Sequence, residues 1–257
     1  MTEKATVSIK EAFQKYNVNP NMLLSWFESV DRQKDEYWRA KDDFLALLSD
    51  SLIKLDFTKA VYKLLDELSA YNKDWRLSRY PCQRGCSYCC HPVVNCTRSE
   101  IEAIYKYLES LKRDIRRPIK LQVRQDLSWF LEYYEWQKKK YPEIQRADKN
   151  REINPAFIEL VKKNDHGQCP FLTKMYSVKN NCAVYPMRPL TCRLTKSNRG
   201  CSKNYRNYRD TPGFMYEYIA ADLLTEESQK RGNGGPVTLP LSFWLKQQYN
   251  SYFSKKN

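Results

Sequence analysis

Apolar residues recur at helical spacing along most of the chain. Leu23, Phe27 and Val30 follow Asn19-Pro20, a pair suited to the cap and first turn of a helix. Phe44, Leu45, Leu48 and Leu52 make a second stripe, and Val61, Leu64, Leu65 and Leu68 a third. Charged residues such as Glu28, Asp31, Asp42 and Asp43 fill the opposite faces, so the pattern predicts surface helices packing inward. Nothing catalytic stands out in residues 1–80, which read as a helical scaffold.

Further along, Thr97-Arg98-Ser99-Glu100 has the form of a capping box, and Ile101, Ile104, Tyr105, Leu108 and Leu111 give the apolar face of the helix it opens. Pro118 is expected to start another helix, with Val123, Leu127, Phe130, Leu131 and Tyr134 on one face. Lys138, Lys139 and Lys140 sit at its end, and Pro142 stops it. A helical region near Met215–Leu224 precedes a Gly-Asn-Gly-Gly-Pro loop at 232–236. Pro240 is expected to open a terminal helix with Leu241, Trp244, Leu245 and Tyr249. Two thiol-rich stretches interrupt this pattern, Cys82 to Cys96 and Cys169 to Cys201, the second broken by Pro170, Pro186 and Pro189. The expected fold is mostly α: a helical globular domain with two irregular cysteine-rich loop segments converging on a metal site. Residues 1–80 form the scaffold, 81–205 the cysteine-cluster region and 206–257 a C-terminal helical extension, packed as one unit.

Composition narrows the chemistry. The chain of 257 residues has 7 glycines, and neither G-x-G-x-x-G nor G-x-x-x-x-G-K-[ST] occurs, which argues against a nucleotide-binding α/β domain. No apolar run approaches the roughly 18 residues that cross a bilayer. The start, Met1-Thr2-Glu3-Lys4-Ala5, lacks the apolar stretch of a secretory signal. A cytoplasmic protein with reduced thiols and no membrane partner is therefore expected. Nine cysteines in such a compartment point to metal ligands or reactive thiols rather than to a disulfide framework, and an odd number cannot all pair.

The first cluster reads Cys82-Gln83-Arg84-Gly85-Cys86-Ser87-Tyr88-Cys89-Cys90. Spacings of two or three residues let a tight turn aim several sulfurs at one point, and Gly85 supplies the backbone freedom for it. The second segment supplies Cys169, Cys182, Cys192 and Cys201, whose sulfurs converge only if the fold brings them together. Thiolates are soft, anionic donors that suit zinc and iron. Eight of them match two four-cysteine sites, one iron–sulfur cluster plus a zinc, or one four-cysteine site with spare thiols. Adjacent Cys89 and Cys90 serve different metals, bridge two, or include one buried non-ligand.

The combination Cys-x3-Cys-x2-Cys-Cys, then Cys169-Pro170-Phe171-Leu172, then Cys182-x-Val184-Tyr185-x-x-Arg188-Pro189-x-x-Cys192-Arg193, resembles the CxxCxxCC or YkgJ-type cysteine-cluster family of zinc- or iron-chelating proteins. The resemblance spans about Cys82 to Cys201. It implies metal binding through Cys82, Cys86, Cys89, Cys90, Cys169, Cys182, Cys192 and Cys201, with zinc or iron, the latter also as an iron–sulfur cluster. A related branch, the flagellin lysine N-methylases, carries a similar cluster. The first motif here departs from that branch's spacing, so methylase activity does not carry over.

Other residues have plainer readings. Cys96 is expected to be a small core residue. His91 and His166 lie near the clusters but are expected to be exposed or hydrogen-bonded rather than ligands. Arg188 and Arg193 either donate to metal-bound sulfur or an anionic substrate, or pair with Glu100 or a helix end. Tyr185 and Pro189 are expected to shape the loop. The formal charge is +14, and all of the excess follows Tyr80, because residues 1–80 carry 13 basic and 13 acidic side chains. The stretch Arg188–Arg209 holds seven basic residues and no acidic one, with Tyr205 and Tyr208 between them. Nucleic acid is one partner for such a surface, and a zinc-stapled nucleic-acid-binding module is the alternative function. Compensation of thiolate charge is the favoured explanation.

Overall fold

Local capping signals set the helix starts. The computed structural model describes residues 8–25, 34–52, 55–72, 90, 94–140, 169, 171–173, 181–194, 213–231 and 238–240. Within these, the chain is mostly helical and divides into two units, one of residues 1–80 with 209–224 and the other of 81–208 with 225–257. The boundary near Tyr80 falls where the charge balance changes. Residues 206–257, expected to form one extension, are instead shared between the units, because the helix at 215–231 packs its first part with the N-terminal helices.

In the first unit, α1 (Ile9–Lys15) opens on a capping box in which Ser8 and Glu11 satisfy each other's backbone N–H groups. It ends where Asn17 turns to a positive φ of 52°, a conformation asparagine tolerates. Asn19 and Pro20 then start α2 (Pro20–Leu23), with Asn19 Oδ1 accepting from the Asn21 N–H at 3.1 Å. Asp56 caps α4 (Phe57–Tyr71), and Val61, Leu64, Leu65 and Leu68 are all buried as expected.

Helix α3 (Lys34–Leu52) differs from expectation in phase. Its buried face is Tyr37, Ala40, Phe44, Leu47 and Leu48, while Leu45 and Leu52 are 38% and 40% exposed. The reason is geometric: 37, 40, 44, 47 and 48 follow one 3.6-residue stripe, and Leu45 lies about 100° off Phe44. Phe27 and Val30 lie outside the described residues.

The first part of α8 (Met215–Arg231) completes this unit. The Met215 N–H donates to Ser25 O at 2.9 Å, Tyr216 OH meets Ser69 Oγ at 3.2 Å, and Tyr37 OH donates to Asp222 Oδ2. Just before the helix, a Cβ on Gly213 would come within 2.9 Å of the Tyr218 ring, so a larger residue there requires that exposed ring to shift.

In the second unit, β1 (Asn95–Thr97) pairs antiparallel with β4 (Thr238–Pro240), with Cys96 opposite Leu239. Pro240 is thus the last residue of a strand that, among the described residues, pairs with β1, a position proline accepts. Residues 241–257, where the terminal helix was expected, lie outside the described residues, as does the 232–236 loop. Helix α5 (Arg98–Ser110) begins at Thr97, and the capping box with Glu100 is present in full. Ile101, Ile104, Tyr105 and Leu108 are its buried face.

Helix α6 (Arg113–Lys140) starts five residues ahead of Pro118, which therefore lies inside the helix. The Lys112 carbonyl accepts from the Ile115 and Arg116 N–H groups to found the extra turn. Glu109 then braces it, taking ion pairs from Arg116 and, at 2.9 Å, from Lys120. Val123 is buried as expected. The second cysteine segment contributes β2 (Leu172–Thr173), paired with β3 (Asn181–Cys182), then a single 3-10 turn at Tyr185–Met187 and α7 (Leu190–Leu194). The described part of that segment is therefore short ordered pieces rather than irregular loop throughout. None of the described helices is long and apolar enough to cross a membrane.

Candidate functional site

Glu100 joins the starts of two helices, one just after Cys96 and the other carrying Cys192. It is 3% exposed, and its two carboxylate oxygens divide their work. Oε2 accepts from the Thr97 N–H at 2.7 Å and from Thr97 Oγ1 at 2.9 Å, while Oε1 accepts from the Leu190 N–H at 2.6 Å. One buried side chain thus satisfies backbone donors at the starts of α5 and α7, which carries Cys192. The sequence offered Arg188 or Arg193 as partners for Glu100, but the partner seen at Oε1 among the described residues is the Leu190 N–H. The partner is a backbone amide, which periodicity and charge do not reveal.

A second buried polar group supports the same region. Ser228 Oγ accepts from the Ser99 N–H and donates to Ser99 Oγ, both at 3.0 Å. Arg231 Nη1 pairs with Glu102 at 2.9 Å, and Arg98 donates to the Arg231 carbonyl at 3.0 Å.

Five cysteines are described, none in a disulfide: Cys90, Cys96, Cys169, Cys182 and Cys192. Cys96 is buried in β1, as expected of a core residue. Its surroundings were not expected. Burial pushes its thiol well above the ordinary range, and the charges of Glu100, Cys192 and Cys169 add to that shift. Cys96 therefore shares its electrostatic environment with two thiols of the second segment. The signal in the sequence was its place just ahead of the capping box, on a strand that leads directly into the helix tied to Leu190.

Cys169 is buried at the head of its segment, where its carbonyl accepts from the Leu172 N–H at 2.9 Å. Gln122 of α6 donates its side-chain amide to the Leu172 carbonyl, and the Ala183 N–H donates to Phe171 O at 2.8 Å, which closes the β2–β3 ladder. Cys182 sits in β3 opposite Leu172. Burial raises its thiol, opposed by a hydrogen bond from the Val184 backbone and by the positive charge of Arg188. Tyr107 of α5 feels the charge of Cys182 in turn, which adds to burial in raising its phenol.

The two arginines have taken up structural positions. Arg193 donates Nε to the Arg188 carbonyl at 3.2 Å and Nη2 to the Pro186 carbonyl at 2.7 Å, closing the 3-10 turn onto α7. Arg188 stacks over the Tyr185 ring at 4.6 Å, and its Nε is buried without a hydrogen-bond partner among the described residues. Tyr185 and Pro189 shape the loop.

Among the described residues, no group of three or more His, Cys, Asp or Glu side chains is arranged to hold a metal ion. Cys90, Cys169, Cys182 and Cys192 therefore do not form a complete site on their own. Cys82, Cys86, Cys89 and Cys201, like His91 and His166, lie outside the described residues. Thiols are donors of the kind that suit a thiophilic metal.

Comparison of the chain with family models, with curated proteins and with solved structures found no match.

Proposed function

We propose that this chain is a cytoplasmic metal-binding protein of the CxxCxxCC or YkgJ type. It chelates zinc or iron, the latter as an ion or an iron–sulfur cluster, through Cys82, Cys86, Cys89, Cys90, Cys169, Cys182, Cys192 and Cys201. The observation that carries this reading is the arrangement of eight thiols in two separated motifs. Cys169 and Cys192 stand at well-separated positions of the second segment, and the charges of both add to the raised thiol of buried Cys96, just downstream of the first cluster.

The Glu100 carboxylate supports the same reading, since it ties the helix that follows the first cluster to the helix that carries Cys192. Around Cys182 the chain supplies what a ligating sulfur uses: the Val184 N–H to donate to it and the Arg188 charge to favour its thiolate. When bound, the metal would staple the two segments. Its charge would also stabilise thiolates that burial alone keeps protonated.

Anaerobic purification followed by metal and acid-labile sulfide analysis tests the proposal. Zinc without sulfide, or iron with matching sulfide, is the expected result. Cys86→Ser and Cys192→Ser are each expected to release metal and to lower the thermal midpoint. Metal-free wild-type protein, or full metal retention in both variants, overturns the reading.

A further inference from the structure

We propose that the first half of α6 is a nucleic-acid backbone interface, with Arg113, Arg117 and Arg124 as its phosphate-binding row. At about 100° per residue these three arginines fall within an arc of roughly 40° on one side of the helix, and at 1.5 Å per residue the row is about 16 Å long. All three are exposed, and none has a carboxylate partner among the described residues. Lys112, also exposed, extends the positive charge at the turn into the helix.

The neighbouring basic residues show what neutralisation looks like here. Arg116 and Lys120 are both held by Glu109 of α5, Lys120 from a position only about 20° from Arg113 around the helix. The three row arginines are exposed and take no share of that carboxylate. The row ends past Ser128, where exposed Glu132 and Glu135 reverse the charge.

The geometry favours a linear polyanion. A single file of guanidinium groups about 6 and 10 Å apart along the helix axis suits an extended chain of phosphates better than one compact anion, and guanidinium groups bind phosphate oxygens in bidentate fashion. A membrane surface calls for a broad apolar face beside the charges. Among the described side chains, Leu121 is the exposed large apolar residue beside the row, since Ile115 lies on the other side of the helix. The basic stretch at 188–209 offers less in its described part, because Arg193 is bonded to backbone carbonyls and Arg188 is stacked on Tyr185. The cysteines play no part in this interface, so its failure leaves the metal proposal standing, and the reverse holds too.

Fluorescence anisotropy on the full chain, with labelled 20-nucleotide single-stranded DNA, RNA and duplex DNA across a salt series, tests the interface. Wild type is expected to bind at low salt with affinity that falls steeply as salt rises. Arg113→Gln/Arg117→Gln/Arg124→Gln is expected to weaken low-salt binding at least about tenfold and to reduce the log–log salt slope by about two to three. The lysine triple variant, which keeps the charge, should retain most of that slope, and helical circular dichroism should be unchanged in both. The control Lys10→Gln/Arg39→Gln/Lys230→Gln removes equal charge from exposed positions elsewhere and should bind like wild type. The preferred strand type identifies the ligand as DNA or RNA. Absence of wild-type binding at low salt overturns the proposal, as does an equal loss in the control, or a glutamine triple variant that matches wild type. Binding to vesicles of anionic phospholipid in place of all three oligonucleotides also overturns it.

Discussion

Both units bury apolar residues, and the second adds long-range hydrogen bonds between buried polar groups. In the first, Leu23, Phe44, Leu48, Val61, Leu64 and Leu68 are buried along helical stripes, and burial of this kind is non-directional. In the second, Thr97, Ser99, Glu100 and Ser228 are buried polar groups whose hydrogen bonds join residues 90 and 129 positions apart. The first arrangement tolerates reshaping as long as volume and pattern survive. The second depends on individual atoms, because a buried donor stripped of its acceptor bears the whole cost of desolvation.

Substitutions can break or sharpen this contrast, and urea unfolding midpoints measure each one. The largest effect is expected from Phe44→Ala, at about 3–5 kcal/mol, because the fully buried ring leaves a cavity. Glu100→Ala should follow at roughly 2–4 kcal/mol, since the Thr97 and Leu190 N–H groups lose their acceptor together. Glu100→Gln keeps one carbonyl oxygen and should cost less. A loss below about 1 kcal/mol for Glu100→Ala would show that the polar joint does not hold the second unit. Ser228→Ala strands the Ser99 N–H and is expected to cost about 1–2 kcal/mol. Leu45→Ala, on the solvent side of α3, should stay within about 0.5 kcal/mol. A loss there comparable to that of Phe44→Ala would mean that the stripe read from sequence, and not the one in the fold, carries the packing.

The same contrast explains which features were legible in advance. The face of α4 and the capping box at Thr97 and Glu100 depend on residues within four positions of each other, and both appear as read. The phase of α3 was misjudged because Leu45 and Leu52 are as apolar as Leu48, and only the packing partners distinguish them. Pro118 reads as a helix start because its ring favours that position. The turn ahead of it rests on Lys112 and on the bracing by Glu109, which composition does not announce. Pro240 has the same ambiguity, and its pairing with Asn95 across the chain made it a strand residue.

For the candidate site, the sequence by itself determined the donor chemistry: nine thiols, eight of them in two motifs, and a basic excess confined to residues after Tyr80. These are properties of residue type and spacing, which no folding step alters. Only the tertiary structure decided that the charges of Glu100, Cys192 and Cys169 act on the buried Cys96 thiol, and that Arg193 bonds to carbonyls of its own loop while Arg113, Arg117 and Arg124 are exposed on α6. Those outcomes turn on which distant backbone amide or carbonyl reaches a side chain first, and such partners are set by long-range packing rather than by periodicity.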